Sequence, residues 1–76
     1  MNRERRKRIS DLIDKLNEIK DEVDEIYEEE DDAYESMPES LQESERGEMM
    51  QSAIENLESA SMSLEEAIEC LEDAKE

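Results

Sequence analysis

The sequence predicts an all-α chain: an antiparallel two-helix hairpin of coiled-coil type that dimerises into a four-helix bundle. Three observations lead there. Two long stretches carry apolar residues at alternating steps of three and four, the only proline and the only glycine fall together between them, and a further apolar row flanks each stretch. At 76 residues the chain can build only a small core, and its single cysteine excludes an intramolecular disulfide. Helix packing, self-association or a partner must supply the remaining stability.

Helix one is expected over about residues 3–36. Its apolar series runs Ile9, Leu12, Leu16, Ile19, Val23, Ile26, Ala33 and Met37, with one gap at Glu30. The series has the spacing of a heptad seam. Pro38 disfavours helical geometry at Met37, so the helix should stop there and a loop should cover about residues 37–44. Ser40 with Glu43, or Ser44 beyond them, can cap the next helix; Gly47 in its first turn reads as a mild blemish. Helix two should then span about residues 45–75, on the series Met50, Ala53, Leu57, Ala60, Leu64, Ala67, Leu71 and Ala74. Each helix of about thirty residues would be ~45–50 Å long.

Folding the chain near residue 41 pairs residues whose numbers sum to about 83, so Leu12 meets Leu71, Val23 meets Ala60 and Ile26 meets Leu57. Large side chains then face smaller ones along most of the seam, and Glu30 faces Ala53. The basic start RERRKR and the acidic end EECLEDAKE each oppose their own helix dipole, and the antiparallel pairing is expected to set them side by side. The flanking row is Ile13, Tyr27 and Tyr34 on helix one with Ile54 and Ile68 on helix two. Two helices need only a narrow seam. A wider stripe asks for further neighbours, which a homodimer would supply.

Charge is the outlying property. Residues 1–20 carry seven basic against four acidic side chains, residues 21–48 one against fourteen, and residues 49–76 one against eight, for a net charge of −17. Low hydropathy with such charge is also the composition of disordered chains, but those have no reason to hold one helical phase over four heptads. The field disfavours nucleic acid and anionic membranes as direct partners and favours proteins with basic grooves. MNRERRKR has the charge of a leader's first segment, yet ISDLIDKL behind it is no apolar core, so a cytoplasmic protein is expected.

Catalysis has no foothold in the residues. Histidine, a Ser-x-x-Lys arrangement and a glycine-rich phosphate loop are all missing, so a non-enzyme is expected. No cofactor and no metal are expected either: zinc lacks its ligand set, and EEEDD lacks the alternating acids and turn glycine of a calcium loop. Cys70 beside the seam reads as a small half-buried side chain whose acidic neighbours discourage thiolate chemistry. The candidate partner-binding surface is the acidic reach of helix one: Asp24, Glu25, Glu28, Glu29, Asp31, Asp32 and Glu35, with Tyr27 and Tyr34 as aromatic anchors or core tyrosines. Solvated helices ordinarily alternate charge signs, and this reach does not. A hairpin ~50 Å long would carry one net charge per ~3 Å, and two overlaid copies one per ~1.5 Å, close to the ~1.7 Å of duplex DNA.

The ERRKR start, the long acidic helix, the joint MPESLQESERGE and the closing Ala/Leu/Glu helix together resemble small acidic helical proteins of phages and prophages of Gram-positive bacteria. The most specific part is PESLQESERGE, Pro38 to Glu48. The members are largely without assigned function, so the resemblance implies a bacterial host cell and little more. In size and charge the chain is also similar to phage DNA-mimic proteins that inhibit restriction or CRISPR nucleases. The expected function is therefore an inhibitor that occupies a basic nucleic-acid groove of a host defence nuclease. The alternative is a scaffolding coiled coil that binds through its apolar stripe.

Overall fold

The computed structural model describes residues Met1–Glu76 and contains three helices, α1 (Arg3–Glu35), α2 (Glu39–Gln42) and α3 (Glu45–Ala74), with no strand. α1 and α3 pack antiparallel along their lengths, giving a rod of 58 × 14 × 12 Å. Its radius of gyration is 17.2 Å, against ~11 Å for a compact chain of this length. No helix is long and apolar enough to cross a membrane.

Local chemistry fixes the helix ends. Asn2 is extended, and its side-chain oxygen accepts the Arg5 N–H at 2.8 Å, capping α1 while Glu4 sits favourably in the first turn. α1 stops at Glu35, two residues before the Met37–Pro38 bond. The joint is more ordered than the loop expected over 37–44: it holds the single helical turn α2, whose Leu41 and Gln42 N–H groups donate to the Pro38 carbonyl. Gln42 Nε2 donates back to the Tyr34 carbonyl at 2.9 Å, satisfying an acceptor at the end of α1. Ser44 caps α3, accepting the Gly47 N–H at 3.4 Å while its hydroxyl donates to the Leu41 carbonyl.

Gly47 corrects one expectation. It is buried, and a Cβ there would overlap the Leu41 and Gln42 carbonyls. The glycine is the condition for α2 to fold against the first turn of α3, where a helix-propensity view sees only a flaw.

The seam corrects another. The seam withdraws Ile9, Ile13, Leu16, Lys20, Val23, Tyr27, Glu30 and Tyr34 of α1, with Met37 beyond its end, and Met50, Ile54, Leu57, Ser61, Leu64, Ile68 and Leu71 of α3, with Lys75 at its cap; Ser10, Asp24 and Asp31 flank it half-buried. Half of each expected series is inside, but Leu12, Ile19, Ile26 and Ala33 are exposed, as are Ala53, Ala60, Ala67 and Ala74. The flanking row has taken their place. Size explains the phase: four alanines reach too little volume to close two helices alone, whereas Ile13 (6% exposed) and Ile68 (5%) fill the gap and are the buried apolar core. Each such isoleucine contributes about 1.5–3 kcal/mol.

Candidate functional site

The two sides of the seam differ in chemistry. On one side, Ser61 Oγ of α3 donates to Asp24 Oδ1 of α1 at 2.5 Å, and Lys20 Nζ donates to Asp24 Oδ2 at 3.0 Å and lies 4.0 Å from Glu65 Oε2. Nearer the open end, Lys75 Nζ meets Ser10 Oγ at 3.5 Å. The paired numbers sum to 85 in all three cross-helix contacts, so one register runs along this side. The Ser61 hydroxyl first and the Lys20 ammonium second hold the Asp24 carboxyl below its ordinary value. The hydrogen bond to Asp24 raises the Lys20 ammonium.

Of the candidate acids, Glu25, Glu28, Glu29 and Asp32 stand exposed on the outer side of α1, and Glu35 is exposed at the rim of a groove shared with α3. Asp24 and Asp31 are half-buried beside the seam. Tyr27 and Tyr34 are packed into it as half-buried rungs, so neither projects as a separate anchor. Tyr27 shares an open groove with Asp24, Glu58, Ser61 and Met62; Tyr34 shares the next with Asp31, Glu35, Gln51, Ile54 and Glu55. The nearby Glu58 carboxylate, then partial desolvation, push the Tyr27 hydroxyl above its ordinary value, so it stays protonated and can donate.

The ion pairs are Lys7–Asp11, Lys20–Asp24 and Lys20–Glu65. Among the acids of residues 21–48 only Asp24 takes part in one. The loop-proximal reach, residues 21–59, holds sixteen acids and Arg46 as its only cation; the rest of the rod holds ten acids and eight basic residues. The basic start does not close on the acidic end as expected, for no ion pair joins them. With Ser10 already opposite Lys75, residues Arg3–Lys7 extend past the last turn of α3. Cys70 is exposed, on the outer side of α3, where half-burial was expected.

The cross-helix bridge through Lys20, Ser61 and Glu65 escaped the sequence reading because no local spacing marks it. Only the register brings Ser61 to Asp24. The grooves are shallow and open, and no three acidic or thiol groups converge as a metal would require. The arrangement offers an anionic surface with a polar seam beside it. No family model, curated protein or solved structure matches the chain.

Proposed function

We propose that the chain is a non-enzymatic binding module that offers the outer carboxylates of α1 to a basic groove of another protein, in the place of nucleic acid. The observation that supports this reading is the concentration of unpaired charge: Glu25, Glu28, Glu29, Asp32 and Glu35 are exposed and meet no cation. Self-repulsion of that kind opposes folding, and a helix built only to be soluble would interleave lysines. Over the 58 Å rod, two overlaid copies with twice the net charge of −17 would carry one charge per ~1.7 Å, the duplex value. The narrower form of the proposal is a phage-derived inhibitor of a bacterial host's restriction or CRISPR nuclease, acting in the cytoplasm.

The test is inhibition of DNA binding across a panel of such nucleases. Inhibition should fall steeply between 50 and 200 mM salt, by about 10³-fold or more for six or more displaced contacts. Changing Glu28, Glu29, Asp31 and Asp32 together to Lys should abolish it with helicity unaltered. Undiminished inhibition by that variant sinks the reading. A second reading, a scaffolding coiled coil, draws support from one observation: Leu12, Ile19 and Ile26 remain about half exposed at heptad spacing.

A further inference from the structure

The side of the seam opposite the Lys20–Asp24–Ser61 bridge is an apolar strip. α1 supplies three large side chains, Leu12 (47% exposed), Ile19 (48%) and Ile26 (50%), with the small Ala33 beyond them, and α3 supplies the four exposed alanines 53, 60, 67 and 74. The rod exposes 5930 Å², roughly 1,100 Å² more than the ~4,800 Å² expected of a compact monomer of its mass. Part of that surplus follows from the rod's elongation, and three features of the strip point to what would cover the rest.

The first is symmetry. Leu12 and Ile26 lie equally far along the chain from Ile19, and the alanines are centred between Ala60 and Ala67. The cross-helix contacts pair residues whose numbers sum to 85, and on this face Glu30 and Ala33 share a groove with Met50 and Ala53, so Ile19 lies across from the stretch Leu64 to Glu66. The two rows therefore share a midpoint to within about two residues. A strip with a single midpoint matches itself when rotated by half a turn about an axis perpendicular to the rod.

The second is charge. The strip ends in two grooves, one basic and one of mixed charge. One, at the open end, is lined by Arg5 and Arg8 with Met1, Ile9 and Leu12; the other, near the loop, holds Glu30 and Arg46 among Ala33, Met49, Met50 and Ala53, so the contrast in charge lies in the reaches around the grooves. None of Arg5, Arg8 and Glu30 has an ion-pair partner within its own chain. The half-turn about Ile19 lays each residue of α1 over the partner's residue whose number complements it to 38, so Leu12 covers the partner's Ile26 and Glu30 meets the partner's Arg8. The loop-proximal reach, with sixteen acids to one arginine, then lies beside the partner's basic start. Rods docked with their loops together would instead set the two acidic reaches against each other, at a large Coulomb cost.

The third is area. A strip about 32 Å long and two helices broad covers about 630 Å² per copy, about 1,260 Å² in total, at the lower end of standard specific interfaces. The alanine rows let the α3 helices approach closely.

We propose that the covering partner is a second copy of this chain, docked antiparallel about a two-fold axis at Ile19, with Glu30 of each copy paired to the partner's Arg8. The four helices form a closed bundle with the loops at opposite ends. The outer carboxylates stay uncovered; the duplex-like charge spacing of the proposed function draws on this pairing, whereas the dimer does not rest on that function and a dimer without nuclease inhibition would leave it standing.

Sedimentation equilibrium of the full chain tests it, with circular dichroism as the folding control. The chain should sediment at twice 8.9 kDa. Glu30→Arg alone and Arg8→Glu alone should each weaken dimerisation at least tenfold, and the double charge swap should restore it to within about threefold. In a Cys70→Ser background, Ile19→Cys should form a disulfide to its own counterpart under mild oxidation, since Ile19 faces itself only in the antiparallel arrangement. A monomer at millimolar concentration overturns the proposal and leaves the strip to a different partner. A dimer that neither cross-links at residue 19 nor responds to the charge swap overturns the antiparallel docking. A larger oligomer overturns the closed two-fold.

Discussion

The two rows that compete for the seam teach different things about what a helix hairpin needs. The outer row, Leu12, Ile19, Ile26 and Ala33 with four alanines, is apolar throughout, yet it is left in solvent. The inner row, Ile13, Lys20, Tyr27 and Tyr34 with Ile54, Ser61, Ile68 and Lys75, is polar at three of its eight sites even with both tyrosines counted as apolar, yet it closes the fold. Volume outranks apolarity here. Side chains that reach across the gap, including Lys20 and the tyrosines through their long stems, hold two helices together better than methyl groups that do not touch. The more apolar row becomes valuable only when another pair of helices lies over it.

The sharpest way to break the contrast is to shorten the inner row. Ile68→Ala removes one of two buried apolar side chains and should cost about 2–4 kcal/mol in urea unfolding. Ile19→Ala at a concentration too low for association should cost well under half of that. Equal losses would show that the rows are not distinct.

A smaller effect is expected at the loop end, where the joint sets the register of both rows. Gly47→Ala forces a methyl group against the Leu41 and Gln42 carbonyls and should destabilise by about 1–3 kcal/mol, against the usual helical preference for alanine. A stabilised Gly47→Ala variant in thermal melting would show that α2 is not packed as described.

The mildest probe is the polar side of the inner row. The carboxyl of Asp24 is depressed from its reference of 3.8, so its contribution is fully present above that pH and is lost as pH falls through the lower folded value. Asp24→Asn should therefore melt below the natural chain at pH 7, and the difference should shrink as pH falls below about 3.8. A gap that persists undiminished in acid would mean that Asp24 acts through shape and not through charge.

Much of the architecture was legible in the sequence. The helix limits follow from the 3–4 spacing and from Pro38, and the Ser44 cap from its place before a helical pattern. The seam phase was not, because the residues at nine and sixteen belong to both possible rows and the choice rests on reach across the gap. Gly47 was misjudged for a related reason: a close approach of α2 is a tertiary fact, and helix propensity cannot see it. Of the acidic surface, Glu25, Glu28, Glu29, Asp32 and Glu35 stand in solvent as their helical phase implies. Asp24 differs because Ser61, thirty-seven residues away, completes its surroundings.

The apolar strip occupies only one flank of the rod, and the opposite flank is walled by Asp24, Asp31, Glu58 and Glu65. An isologous contact through a one-sided strip is consumed by the first copy that docks. What remains outward in the proposed pair is strongly net anionic, so one pair would repel the next instead of recruiting it. The same asymmetry that leaves the lone hairpin greasy on one edge would make the proposed assembly self-terminating, with no route to a growing filament.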